Sequence, residues 1–300
     1  MTANSLGTII NFCSNDYPFL RHCIDGVKQV SAQIIIPVCD HFFDGKEEDR
    51  ETLDQIYAEN RDVQFVEFPY DKEKSSYGSH PTLFWHNLAR MIGSFFLKEE
   101  ISYVFFLDCD EIADPVRLSE WLKVFPYQDY EAIRLCNYWY FRESHLQAKM
   151  REDSPHLIKK EILNGDILMT ERERIGIYDG ATGNKTRRVA GIDDRPMFHH
   201  YSWVRTKEQL LRKVVSWSHN WERDWTKQVE EEFSRNFNGT DFVHGYEFIE
   251  VSPFVAIDIL QRPKPFAHAD FSHVRKLSLV DVVKIDLALT YQIPVCLNQV

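Results

Sequence analysis

Two aspartates separated by one residue follow an apolar run near the middle of the chain. Residues 104–112 read VFFLDCDEI, so Asp108, Asp110 and Glu111 come after four apolar residues. Side chains at i and i+2 of a strand point the same way, which would bring the two aspartates together. Carboxylate oxygens suit Mg²⁺ and Mn²⁺, ions that carry diphosphates. The spacing predicts a metal and diphosphate site, although an acidic turn after a core strand fits it about equally well.

The segments around this motif alternate between strand and helix patterns. Apolar periodicity predicts strands at residues 8–12, 33–38, 63–68 and 132–140, and helices at residues 17–30, 48–59, 82–98 and 115–124. Such alternation specifies a parallel sheet with helices on its faces. The acidic motif would then lie at the carboxyl end of a buried strand, where α/β proteins bind ligands.

The carboxyl half is predicted to be less regular. Residues 141–195 are polar and rich in glycine, as in long functional loops. Beyond them, the apolar pattern predicts helices at residues 207–217, 225–237, 251–260 and 277–291.

Composition limits the class of protein. A chain of 300 residues that is 44% hydrophobic can bury a large core, and a net charge of -11 disfavours nucleic acid as the main partner. The six cysteines lack the spacing of a metal or redox motif, so reduced thiols in a cytoplasmic protein are expected. We expect no signal peptide and no transmembrane segment, while peripheral contact with a membrane stays open.

The order of these motifs, over residues 7–215, resembles that of GT-A glycosyltransferases, in particular the family-2-like enzymes that use nucleotide-sugar donors. The resemblance implies an α/β fold: a Rossmann-like, mostly parallel central sheet flanked by helices, with a helical carboxyl-terminal region. It also implies that residues 1–115 form a nucleotide-sugar-binding half. Residues 116–300 would form the acceptor-binding half and the helical region, fused with the first half into one domain.

The resemblance assigns donor-binding roles to several residues. Cys13 and Asn15 lie in the polar turn that faces the nucleotide in the family, and Asp40 keeps the position of an aspartate that contacts the base. Arg90 is a candidate to neutralise the diphosphate, and Asp108 to contact the ribose. Asp44 completes the usual acidic spacing, but aromatic residues stand between it and Asp40 where the family has glycine and serine.

A metal site is implied as well. Asp108 and Asp110 match the DxD motif of the family, and residues 198–205, FHHYSWVR, resemble a segment whose histidine completes the metal sphere. By this likeness His200 is the first choice as third ligand and His199 the second. An imidazole beside carboxylates favours Mn²⁺ over Mg²⁺.

The implied activity is that of a metal-dependent, hexosyltransferase-like enzyme (EC 2.4). It would move a sugar from a nucleoside-diphosphate sugar to an acceptor hydroxyl, on a glycan or glycolipid. An inverting enzyme needs a carboxylate base. The candidates in the acceptor half are Asp193, Asp194, Glu222 and Asp224.

Two alternatives remain at this point. A haloacid-dehalogenase-type phosphohydrolase also uses a DxD with Mg²⁺, but its motif follows the first strand, whereas three predicted strands precede this one. A non-catalytic protein that binds sugar nucleotides on the same scaffold is the other. Donor sugar, acceptor, stereochemistry and oligomeric state are not predicted.

Overall fold

The structure, a computed structural model, describes residues 5–73, 80–266 and 270–297. The strands are β1 (Ser5–Asn11), β2 (Gln33–Cys39), β3 (Gln64–Phe68), β4 (Ile101–Asp108), β5 (Glu111–Ala113), β6 (Ala132–Leu135), β7 (Asn137–Phe141), β8 (Glu143–Glu152), β9 (His156–Lys159), β10 (Lys185–Val189), β11 (Phe198–Trp203), β12 (Phe248–Glu250) and β13 (Val274–Lys276). The helices are α1 (Tyr17–Lys28), α2 (Arg50–Glu59), α3 (Pro81–Phe95), α4 (Pro115–Val124), α5 (Gly165–Leu168), α6 (Glu173–Gly180), α7 (Lys207–Ser216), α8 (Trp225–Phe233) and α9 (Leu279–Tyr291).

The main sheet has the strand order β10-β6-β9-β4-β1-β2-β3-β13. Strands β4, β1, β2, β3 and β13 run parallel, and β10 is parallel to β6. Strand β9 is antiparallel to both of its neighbours. The predicted fold class, α/β with a mostly parallel central sheet, is confirmed by this topology.

Helices cover both faces of the main sheet, as a parallel sheet requires. On one face α1, α2 and α4 bury Leu20, Ile56 and Trp121. On the other face α3 and α9 bury Trp85 and Ile285, beside residues of α5 and α6. The predicted amphipathic helices supply these apolar faces.

A second sheet, with the order β12-β8-β7-β11-β5, begins where the acidic motif ends. Strand β5 follows β4 after Cys109 and Asp110 and pairs with β11, where His200 lies opposite Glu111. The Asp110 carbonyl accepts a 2.8 Å hydrogen bond from the Tyr201 N–H. The acidic turn is therefore held by both sheets, and this pairing brings His200 to it from far along the chain.

The carboxyl-terminal region is less helical than predicted. Helices α7, α8 and α9 are confirmed, but the helix predicted at residues 251–260 is wrong. Val255, Ile257 and Ile259 alternate along this segment and pack against the core. Their period of two suits an extended chain and not a helix. Within the three described ranges, every helix falls short of the length and apolarity that crossing a bilayer requires.

Gly26 sets how closely α1 approaches β5. A Cβ atom at this position would lie 2.7 Å from the Ala113 carbonyl oxygen and 3.0 Å from its nitrogen. We expect Gly26→Ala to lower the free energy of unfolding by about 1–2 kcal/mol in urea denaturation, because overpacking exceeds the helix propensity that alanine adds. In the control Gly180→Ala the nearest atom is the Ile167 Cγ1 at 3.3 Å. Equal losses in the two variants would contradict this account.

Candidate functional site

A cavity of about 490 Å³ lies at the carboxyl ends of β1, β2 and β4. Its walls include the turn after β1, the acidic turn, the end of β8, the end of β10, and the segment that follows α7. This is the edge of a parallel sheet where ligands are expected. Asp108, Asp110 and His200 all line it, so the predicted acidic motif and the predicted histidine meet in one cavity.

Asp110 is only 3% exposed and is surrounded by cationic groups. Its Oδ2 atom accepts hydrogen bonds from the Arg205 guanidinium at 2.8 Å and the Lys213 ammonium at 3.0 Å. Burial acts to raise the pKa of Asp110, but Lys213 and Arg205 hold it well below its usual range. The carboxylate is therefore ionised, and Arg205 and Lys213 offset its charge.

Arg205 joins the acidic turn to the turn after β1. Its NH2 group donates to Asp110 and also to Asp16 Oδ1, at 2.6 Å. The side chain is fully buried and lies over the ring of Phe19, 4.6 Å from the centroid. One guanidinium thus fixes the distance between the two turns that meet at the cavity.

Asp108 is held by two buried arginines. Arg174 donates to its Oδ2 at 2.8 Å, and Arg90 to its Oδ1 at 3.2 Å. Burial opposes ionisation of Asp108, but Arg174 and Arg90 lower its pKa to about 2. Arg174 also pairs with Glu111, which is fully buried and accepts the Asp108 N–H at 2.9 Å. Glu111 is therefore a structural support of the motif.

The two histidines of β11 point to opposite sides of the strand, as period-two geometry requires. His200 Nε2 lies 3.3 Å from Asp110 Oδ1. His199 instead receives a hydrogen bond from, or donates one to, the Tyr140 hydroxyl and stacks on Phe254 at 4.0 Å. The second choice, His199 as metal ligand, is wrong because this ring belongs to the core. Burial lowers the pKa of His199 to about 3.

The residues predicted to bind a metal are only partly free to do so. Asp110 Oδ1 is buried and lacks a hydrogen bond of good geometry, so one oxygen beside His200 is open to a cation. Both Asp108 oxygens are occupied by arginines. Among the described residues, no group of three or more histidine, cysteine, aspartate or glutamate side chains is arranged to hold a metal. The residues fit an ion that takes most of its ligands from a substrate and water, as Mg²⁺ sites commonly do.

Besides Asp108, two of the predicted donor-binding residues line the cavity and two do not. Cys13 and Asn15 line the cavity, beside Asp108. Arg90 is 1% exposed and donates to the Asp108 carboxylate. It is buried and does not line the cavity. Asp40 accepts the Tyr70 N–H at 2.7 Å and pairs with the neighbouring His41, which itself lines the cavity.

The predicted base candidates lie outside the cavity wall described by the structure. Asp193 is paired with Arg117 and Arg195, and Asp194 is 97% exposed at its side chain. Asp224 caps α8 through the Lys227 N–H. As the structure stands, none of them faces the cavity that contains the acidic motif.

Sequence reasoning missed several charged residues of the site. Glu152 lines the cavity between two histidines, 3.2 Å from His244 Nε2 and 4.0 Å from His200 Nδ1. Burial raises the pKa of Glu152. Its only sequence signal was its place in a long polar segment. Lys213 gave no signal because it looks like a surface residue of the helix predicted at residues 207–217, and Arg174 gave none because it lies in the segment predicted to be irregular, residues 141–195.

The chain is similar to known proteins only among solved structures. No family model and no curated protein matches the chain. Similar solved structures include a 4-diphosphocytidyl-2C-methyl-D-erythritol synthase from Anaerococcus prevotii, with 9% identity and a TM-score of 0.41, covering 69% of this chain and 93% of the other. A glucosyl-3-phosphoglycerate synthase from Mycobacterium tuberculosis has 12% identity and a TM-score of 0.38, covering 87% and 90%.

The catalytic domain of a Drosophila β1,4-galactosyltransferase 7 is also similar, with 12% identity and a TM-score of 0.32 over 65% of this chain and 70% of the other. Glycosyltransferases recur among these structures.

Proposed function

We propose that the chain is a metal-dependent glycosyltransferase, which moves a sugar from a nucleoside-diphosphate sugar to a hydroxyl group of a glycan or glycolipid. The main support is the open Asp110 oxygen beside His200 in a cavity that also contains Arg174 and Lys213. Carboxylate, imidazole and cationic groups together suit a diphosphate that arrives with a divalent ion.

Asp110 and His200 would hold the ion, and Mn²⁺ or Mg²⁺ would supply Lewis-acid stabilisation of charge on the leaving diphosphate. Lys213 offers a further positive charge, and its ammonium lies 3.0 Å from Asp110. Cys13 and Asn15 would contact the nucleotide, since they line the same cavity from the turn after β1. Asp108, oriented by its two arginines, would bind the ribose.

Glu152 is our candidate for the base that takes the proton of the acceptor hydroxyl. It lines the cavity, whereas Asp193, Asp194 and Asp224 do not. The loop that presents its partner His244 is fixed by Asp241, whose carboxylate accepts backbone N–H groups of residues 243–246. A base oriented in this way would receive the proton without a loop rearrangement.

The phosphohydrolase alternative is disfavoured by the environment of Asp108. Two arginines occupy both oxygens of this carboxylate, so it is poorly placed to attack a phosphoryl group. The non-catalytic alternative predicts diphosphate binding without turnover.

The proposed function is tested by thermal unfolding with UDP, GDP, CDP and TDP, each with Mn²⁺ and with a chelator. We expect one nucleotide to stabilise the protein in a Mn²⁺-dependent manner, by about 2.7 kcal/mol at a hundred times its dissociation constant. The sugar donor of that nucleotide should then be hydrolysed slowly by the protein. No response to any of the four would overturn the donor site, and binding without hydrolysis would favour the non-catalytic alternative.

A further inference from the structure

Strand β10 is irregular where it borders the cavity. Its register with β6 shifts between Thr186 and Val189, and Arg188 has a φ of 57°. A long side chain in this left-handed region costs on the order of 1–3 kcal/mol, and bulges near sites serve to redirect a side chain. The irregularity would therefore set the direction of the Arg188 side chain.

Arg188 lines the cavity and is exposed. No residue within the described ranges forms a hydrogen bond or ion pair with it, which sets it apart from the other arginines at this end. Arg151 lines the same end with its side chain 44% exposed, donates to the Asp194 carbonyl at 2.7 Å and lies 4.0 Å from the Asp194 carboxylate. These two guanidinium groups have donors left for a ligand.

The surrounding charges leave this end of the cavity positive. Arg134 and Arg187 both pair with the buried Asp153, each at 2.9 Å. Glu152 pairs with His244. The four arginines, Arg134, Arg151, Arg187 and Arg188, thus face three carboxylates, those of Glu152, Asp153 and Asp194, in a chain whose net charge is -11. A positive cluster inside a cavity of an acidic protein attracts an anion.

We propose that Arg151 and Arg188 bind an anionic group, a phosphoryl or a carboxylate, carried by the acceptor. That the ligand is the acceptor rests on the proposed function. Glu152, the candidate base, lines the same cavity as Arg151 and Arg188, so an anion held by the two arginines would keep the rest of its molecule in the cavity with that carboxylate. Guanidinium groups bind both anions through paired hydrogen bonds.

The test measures binding of glucose 6-phosphate, glucuronate and glucose by calorimetry. We expect at least one anionic sugar to bind, with affinity that falls as salt rises, and neutral glucose to bind much more weakly. Comparison of the two anionic sugars shows whether a phosphoryl or a carboxylate is preferred. Equal binding of glucose, or no binding of either anionic sugar, would overturn the proposal.

Variants separate the subsite from general charge effects. Arg188→Gln should weaken binding of the anionic sugar by about 10–100-fold, because a charge-assisted hydrogen bond is lost. Arg188→Gly should lose binding to the same extent and melt at a higher temperature, since glycine relieves the left-handed strain. In Arg262→Gln, an exposed arginine outside the cavity wall is changed and affinity should stay the same. Unchanged affinity in Arg188→Gln would overturn the proposal.

UDP and the other nucleotides, titrated separately with Mn²⁺, distinguish the two proposals. If an anionic sugar binds in an Arg188-dependent manner and no nucleotide binds, the anion subsite is supported and the proposed glycosyltransferase activity is contradicted. If a nucleotide binds and neither anionic sugar binds, the proposed glycosyltransferase activity is supported and the anion subsite is contradicted.

Discussion

Replacement of Arg174 by methionine is expected to lower the free energy of unfolding by about 3–5 kcal/mol. The guanidinium of Arg174 contacts Glu111 and Asp108, and it also donates to the Phe106 carbonyl at 3.2 Å. Methionine fills a similar volume but leaves the fully buried Glu111 without its positive partner. An uncompensated buried charge is among the most destabilising changes in a protein.

Urea denaturation of matched variants tests this expectation. Arg172→Met changes an arginine two positions earlier, whose side chain is 68% exposed and pairs with Asp179. An exposed ion pair contributes about 0–1 kcal/mol, so this variant should be close to the parent. The double variant Arg174→Met, Glu111→Gln should recover part of the loss, because the orphaned charge is removed. Similar losses in the two single variants would reject a special role for Arg174.

Asp110→Asn is expected to remove the Mn²⁺-dependent part of the stabilisation by the bound nucleoside diphosphate. It should also slow hydrolysis of the corresponding nucleotide sugar by on the order of 100-fold or more. Asparagine keeps the shape of the side chain but loses the anionic oxygen that faces His200. Arg205 and Lys213 lose their shared counter-charge as well, so stability should fall by about 3 kcal/mol.

The loss of stability makes controls necessary. Binding and hydrolysis are measured well below the melting temperature of the variant, with circular dichroism to verify the fold. Asp166→Asn, at an exposed residue of α5 outside the cavity wall, should change neither quantity. His200→Gln offers a second change at the proposed ion site and should also weaken the Mn²⁺ dependence. A normal Mn²⁺ response in Asp110→Asn would remove Asp110 from the metal site.

Periodicity predicted the fold well where strands and helices are long. The amphipathic helices now defined as α1, α3 and α4, and the buried strand β4, follow from local spacing alone. The same reasoning placed the acidic motif at the end of a buried strand, and the structure confirms that position. The helix predicted at residues 251–260 is wrong because the apolar residues of this segment alternate with a period of two, which is the pattern of an extended chain and not of a helical face.

The charged partners of the site could not be predicted because they come from distant parts of the chain. Arg174 reaches Asp108 across 66 residues of sequence, and Lys213 reaches Asp110 across 103. Each lies on a helix whose pattern only indicates an exposed face. Asp193, Asp194 and Asp224 lie outside the cavity wall, in keeping with the general rule that an acidic residue is more often a cap, an ion-pair partner or a solvated side chain than a base.

The short span from Asp108 to Glu111 cannot change length freely. Its first residue ends a strand of the main sheet and its last begins a strand of the second sheet, opposite His200. One inserted residue would reverse the alternation of β5 and turn Glu111 away from Arg174. An insertion at this junction would therefore displace the whole of β5, whereas a substitution changes a single side chain.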